Sequence, residues 1–187
     1  VCDNEGMDAK TVMREEHLAY RRHLRTHPAL KGPLDAAIVS YAVDLVASFG
    51  TSCGRINVAA YEPYPSEPGG DGLVPALAGV SRRLFLPVTL PEGRLSWVVA
   101  GGDGPRYTSR VLASCGVVFV PALGVDASGL RLGKGGGYYD RALAGLDAYT
   151  CAVVFERERV ASVPAEPHDV RVRAVLSEQG VRAVEPM

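Results

Sequence analysis

The chain has 187 residues, 47% of them hydrophobic and 22% charged, with a formal net charge of −1. This balance excludes a disordered polyampholyte and suits a single globular domain, 1–187, with residues 1–6 read as a disordered start. It supplies no global basic field for nucleic acid or an anionic membrane, so neither is expected as a partner.

No apolar run is expected to reach the ~20 residues that span a bilayer. The acidic start Val-Cys-Asp-Asn-Glu-Gly is unlike a signal peptide, and a cytoplasmic location is the expectation. Cys2, Cys53, Cys115 and Cys151 form no Cys-x-x-Cys pair and have no histidine at zinc spacing. All four read as structural.

In chain order, Met7 to Leu30 reads as a helix, with Val12, Met13, Leu18, Ala19 and Leu24 as an apolar stripe. Lys10, Arg14, Arg21, Arg22 and Arg25 give it a cationic side. Pro33 opens a second helix, in which Ile38, Tyr41, Ala42, Leu45 and Val46 recur at helical spacing until about Gly50. The period then changes. Ile56–Tyr61, Leu84–Pro87, Leu95–Val99, Val117–Val120 and Ala152–Phe155 are short Val-rich runs that suit strands buried on both faces. Leu73–Val80, Ser109–Ser114 and Tyr138–Leu146 read as helices between them. Such alternation predicts βαβ units, an α/β fold and a mostly parallel sheet, with ligands beyond the strands' carboxyl ends.

The segment with the most chemistry follows the strand Val117–Pro121. Asp126 falls just past its carboxyl end, and a turn leads to Arg131-Leu-Gly-Lys-Gly-Gly-Gly-Tyr-Tyr-Asp140. A glycine loop that opens a helix directs N–H groups and the positive dipole end at one place, which suits phosphate. Arg131 and Lys134 add cations, and Asp140 adds the hard carboxylate oxygen that Mg²⁺ prefers on nucleotide phosphates. The spacing is one residue short of a P-loop and has Gly where Ser or Thr holds the metal. Tyr138 stands where a dinucleotide fingerprint has its third glycine.

These residues, Val120-Pro-Ala-Leu-Gly-Val-Asp126 and Gly129-Leu-Arg131 through Arg141, resemble the signature of the 5-formyltetrahydrofolate cyclo-ligase family. Lys10-Thr-Val-Met-Arg14 resembles the family's N-terminal Lys-x-x-x-Arg. Ala60-Tyr-Glu-Pro-Tyr-Pro-Ser-Glu67 is similar to its strand and loop ending in a substrate-binding glutamate. Val163-Pro-Ala-Glu-Pro-His-Asp169 is similar to its C-terminal Pro…His-Asp turn.

The resemblance implies a Rossmann-like three-layer domain with its N-terminal helices packed on the sheet. It implies ATP- and Mg²⁺-dependent cyclisation of 5-formyltetrahydrofolate, polyglutamylated forms included, to 5,10-methenyltetrahydrofolate through a phosphorylated formyl group. It gives ATP to Lys10, Arg14 and the loop Arg131, Leu132, Gly133, Lys134, Gly135, Gly136, Gly137, Tyr138 and Tyr139, with Arg131, Lys134 and Tyr139 catalytic. Glu62, Glu67 and Tyr138 would hold the folate, and Asp140 and Asp169 the metal. Asp126 is given a supporting or metal-linked role.

Without the resemblance, Lys10 and Arg14 are a solvated helix face, Glu67 an exposed loop acid and Asp169 turn chemistry. His17, His23 and His27 are expected exposed and inert, and Trp97 in the core. The chain departs from the family after Trp97, where only Gly101–Arg110 bridges a segment that is longer in relatives and lines the folate pocket. It has Gly136 where relatives carry lysine. A non-catalytic nucleotide- or folate-binding regulator is the alternative, and a phosphosugar isomerase on a related fold ranks last.

Overall fold

Apolar runs without hydrophobic–polar alternation need cover on both faces, and the architecture supplies it. The computed structural model of the protein describes residues 9–50 and 54–184. Cys2, Cys53 and the expected disordered start lie outside the described residues. Two helices come first, α1 (Ala9–Thr26) and α2 (Pro28–Phe49), then β1 (Asn57–Ala59), α3 (Leu73–Val80), β2 (Arg83–Leu90) and β3 (Arg94–Val99). There follow β4 (Tyr107–Thr108), β5 (Cys115–Pro121), β6 (Gly124–Val125), β7 (Arg131–Leu132), α4 (Tyr138–Leu143), β8 (Tyr149–Val153), β9 (Ala174–Ser177) and β10 (Gly180–Ala183).

One sheet runs in the order β10-β9-β8-β5-β1-β2-β3-β4. Its five inner strands, β9 to β2, are mutually parallel; β10 at one edge pairs antiparallel with β9, and at the other edge β3 pairs antiparallel with both β2 and β4. The expected α/β fold with a mostly parallel sheet is what forms. Alternate residues serve opposite faces. Val58, Ala60, Val117, Phe119, Cys151 and Val153 pack with Ile38, Ala42 and Val46 of α2 and Leu73 and Leu77 of α3. Ala59, Val118, Val120, Ala152 and Val154 pack on the other side with Trp97, Leu112 and the α4 residues Ala142 and Leu143. Hence three layers.

A third cluster positions the site. Leu130 and Leu132 beside the β6–β7 hairpin, with Leu123 and Val163, take Met13 and Leu18 of α1 against them. The apolar stripe of α1 therefore brings Arg14 to the glycine segment.

Several boundaries move. The first helix ends at Thr26, and α2 opens at Pro28, not Pro33. Proline suits that first position because its missing N–H would be unbonded there anyway. Pro33 lies inside the helix. At 22 residues and a mean hydropathy of 1.3, α2 is long and apolar enough by composition to cross a membrane, against expectation. Its Ile38, Ala42 and Val46 stripe instead covers the sheet. Ser109–Ser114 forms a 3-10 turn, and α4 stops at Leu143. The shortened segment after Trp97 becomes the two-residue edge strand β4, paired with Ser96 and Trp97.

Candidate active site

The strands' carboxyl ends and the loops that leave them enclose a cavity of about 760 Å³. From the loop after β1 come Glu62, Tyr64 and Glu67; from the glycine segment come Arg131, Lys134, Tyr138, Tyr139 and Asp140. The crevice is where a parallel sheet places ligands.

Glu67 is nearly buried, unlike the exposed loop acid that local sequence suggests. Its Oε2 accepts the Tyr64 N–H at 2.9 Å, and its Oε1 lies 2.7 Å from Lys134 Nζ. Lys134 also stands 4.8 Å over the Tyr64 ring. The cation expected at phosphate thus reaches across to the acid expected at folate.

Tyr139 packs edge-on against Trp97, with ring centroids 6.4 Å apart. Its hydroxyl is buried and has no hydrogen-bond partner. Burial, reinforced by the nearby Glu67 charge, pushes the phenol far above its ordinary pKa, so it stays protonated. An O–H donor held in that state suits a ligand acceptor, since a buried polar group without a partner is costly.

Arg131 is buried and forms the other wall. Its Nη2 donates to Asp140 Oδ1 at 2.6 Å, and its Nη1 donates to the Val170 carbonyl. Burial lowers its pKa, against the pull of Asp140, yet a guanidinium remains charged. Asp140 Oδ1 also accepts the Val170 N–H at 3.1 Å. This ties α4 to the residue that follows Asp169.

Lys10, Arg14 and Asp169 do not line the cavity. Arg14 Nε donates to the Gly133 carbonyl at 3.0 Å. Lys10 Nζ lies 2.7 Å from Glu166 Oε1 and 2.9 Å from Asp169 Oδ2, which also accepts the Glu166 N–H. Burial works against the Lys10 ammonium, but these bonds outweigh it and raise its pKa. In the same way, burial would raise Asp169, and the Lys10 and Glu166 bonds bring it below the usual range. Positive φ at Gly135 (97°) and Gly137 (62°) lets the loop turn between these two sides.

Among the described residues no group of three or more His, Cys, Asp or Glu forms a metal cage. Asp140 and Asp169 each keep one carboxylate oxygen outside the bonds described above. Mg²⁺ carried on phosphate needs only one or two carboxylates; Asp140 lines the cavity, and Asp169 does not. Asp126 does not serve this purpose. Its Oδ1 accepts Ser128 N, Ser128 Oγ and Leu130 N, and its Oδ2 accepts Val163 N, so it braces the turn before β7.

A family model described as the 5-formyltetrahydrofolate cyclo-ligase family matches residues 7–178. This chain belongs to that family. With membership goes ligase activity. The cyclo-ligase of Mycolicibacterium smegmatis is 38% identical over 140 residues, covering 64% of this chain and 72% of that protein. The cyclo-ligase of Mus musculus is 38% identical over 93 residues, 46% of each chain. The 5,10-methenyltetrahydrofolate synthetase of Mycoplasma pneumoniae shares the fold, with a TM-score of 0.76, 22% identity and coverage of 91% of this chain and 99% of that one. The Aquifex aeolicus synthetase does likewise, at a TM-score of 0.75, 22% identity, and 96% and 95% coverage.

One cyclo-ligase site feature escaped the sequence reading. Arg21, read only as part of the cationic side of α1, lines the cavity and is only 2% exposed. Its Nε and Nη2 donate to the two oxygens of Glu158 at 2.6 and 2.7 Å, and Nη2 donates to the Ala122 carbonyl as well. The signal was present, since Arg21 lies on the same stripe as Leu18 and Leu24. His17, expected exposed, is also buried, and burial lowers its pKa. Finally, a Cβ at Gly136 would meet the Tyr138 ring at 2.6 Å, so a side chain there requires that ring to move.

Proposed function

We propose that the chain catalyses ATP- and Mg²⁺-dependent cyclisation of 5-formyltetrahydrofolate to 5,10-methenyltetrahydrofolate, with release of ADP and phosphate. The observation that carries this reading is the meeting of Glu67 and Lys134 across one cavity that Arg131, Tyr139 and Asp140 also line.

A formyl oxygen on nitrogen is a poor leaving group. Its attack on the γ-phosphorus forms an O–P bond, breaks the bond to ADP and turns that oxygen into part of a phosphate. Nitrogen 10 then attacks the formyl carbon, phosphate departs with its electron pair, and the proton of nitrogen 10 is lost. Such chemistry asks the protein chiefly for position and charge.

Glu62, Glu67 and Tyr138 hold the folate, and Tyr139 donates its unpartnered hydroxyl to a substrate oxygen. Arg131 and Lys134 offset charge on the transferring phosphoryl group, Lys134 standing at the boundary between the two substrates. Arg14 supports the glycine loop through the Gly133 carbonyl, Lys10 holds Asp169, and both complete the nucleotide side. Asp140 and Asp169 would hold Mg²⁺, which supplies charge neutralisation on the phosphate oxygens.

The test is direct. Purified protein with 5-formyltetrahydrofolate, ATP and Mg²⁺ should develop the near-ultraviolet absorbance of methenyltetrahydrofolate. ATP binding without product would instead make the chain a regulator. Asp140→Asn should lower turnover by ~100-fold or more, since it removes a charge from the metal and phosphate side. Full activity in that variant would refute the metal assignment.

A further inference from the structure

Arg21 reaches the active-site cavity from α1, and no step above gives it a task. Its side chain is a cation only 2% exposed. Glu158, fully buried, takes Nε and Nη2 in a two-pronged pair, and Nη2 also donates to the Ala122 carbonyl just past β5. The third nitrogen, Nη1, has no hydrogen-bond partner among the described residues. The side-chain atoms sealed away there without a partner are the Tyr139 hydroxyl and Asn57 Oδ1, so Nη1, which is not one of them, keeps an opening. Since Arg21 lines the cavity, that opening is the cavity. Burial works against the guanidinium charge, but the bond and charge of Glu158 outweigh it, and Arg21 stays charged.

The surroundings define the acceptor that Nη1 awaits. Tyr61, Glu67, Pro121, Ala122 and Leu123 line the same cavity, and Arg21 lies near enough to Glu67 to feel its charge. Glu158 already neutralises the arginine, so a phosphate at Nη1 would meet a neutral pair with a second carboxylate close by. A neutral carbonyl oxygen gains a charge-assisted hydrogen bond without that repulsion. A carboxylate only accepts and a guanidinium only donates. Glu67 and Nη1 together therefore match the edge of a pyrimidinone ring, whose amino and N–H groups donate and whose carbonyl accepts.

We propose that Arg21 is a further substrate-binding residue, its Nη1 donating to the ring carbonyl oxygen of the folate. Glu158 acts through Arg21 and is a positioning residue. The proposal rests on the folate reading above and deepens it, because it names the donor that selects a ring carbonyl over an amino group at the same place. An amino group there would turn its own N–H toward Nη1 and leave both donors unpaired.

Calorimetry of 5-formyltetrahydrofolate and of its 4-amino analogue tests this in the wild type, in an Arg21→Met, Glu158→Leu double variant and in Arg21→Lys. The double variant strands no carboxylate. Lysine keeps a counter-charge for Glu158, but its ammonium ends one bond short of Nη1. The wild type should bind the carbonyl form ~10- to 100-fold more tightly, the effect of one charge-assisted hydrogen bond. Both variants should bring that preference to within ~3-fold, with ATP affinity unchanged, since only the one bond is lost. A purely structural role would weaken both ligands alike and leave the ratio standing, and that result would overturn the proposal. So would a loss of ATP affinity with the ratio kept, which would give Nη1 to phosphate. A wild type that bound neither folate ligand would remove the folate reading itself, and this proposal with it.

Discussion

Lys134 Nζ lies 2.7 Å from Glu67 Oε1, joining the glycine loop to the loop after β1 across the active-site cavity. Lys134 is half exposed and Glu67 only 5% exposed, so the pair joins a solvated cation to a buried acid. Lys134→Met should therefore cost little stability, ~1 kcal/mol or less, because an exposed partner contributes little. It should reduce kcat/KM by ~10- to 100-fold, since it removes charge where phosphoryl transfer needs it. Thermal melts and steady-state kinetics on one preparation check both. Equal losses in stability and none in kinetics would mark the pair as structural.

Tyr139 gives a prediction of opposite sign for stability. Its hydroxyl is buried without a partner, so Tyr139→Phe removes an unsatisfied group. The folded state should hold its stability or gain ~1 kcal/mol. Turnover should fall at least ~10-fold, because the lost O–H is the donor assigned to substrate. Urea denaturation and kinetics decide it. A destabilised, fully active variant would place the hydroxyl's partner within the protein.

The Arg21–Glu158 pair is almost dry, at 2% and 0% exposure. Arg21→Met strands a buried carboxylate and should cost ~3–5 kcal/mol, whereas Arg21→Met with Glu158→Leu should recover the greater part. Chemical denaturation of the three variants measures this. A single variant as stable as the double would show that Glu158 finds another partner.

Lys10 and Asp169 set a pH dependence. Asp169 is held below its ordinary value of 3.8, so its contribution is full above that value and is lost as pH falls through the lower folded one. Lys10 is held above 10.5, so its contribution is present below that value and lost as pH rises beyond the folded one. Wild type should thus exceed Lys10→Met in stability across the neutral range, with the gap closing below pH 3.8. Denaturation midpoints at neutral and strongly acid pH check it. A gap that stays constant into acid would mean the pair does not carry the difference.

The parallel sheet was legible because Val117–Val120 and Ala152–Phe155 are apolar on consecutive residues, which only two-sided burial explains. Ala174–Ser177 forms β9 too but offers only three consecutive apolar residues, set between Arg173 and Ser177-Glu178, too short a run to stand out. The helix break was misplaced because two prolines, Pro28 and Pro33, compete for the same first-turn position. The glycine segment stood out through composition alone, and the structure puts Arg131, Gly133, Lys134 and Gly136 to Asp140 in the cavity lining. What no local pattern could show was direction: that Lys134 turns toward Glu67, that Arg21 turns inward, and that Asp169 is held by Lys10. The last two belong to α1, which packs its Met13 and Leu18 with Leu130 and Leu132.

The central claim is that the formyl oxygen itself attacks ATP. Substrate carrying a heavy oxygen isotope in the formyl group should deliver that label to the released inorganic phosphate, one atom for each methenyltetrahydrofolate formed. Label appearing in water, with none in phosphate, would contradict the phosphorylated formyl intermediate.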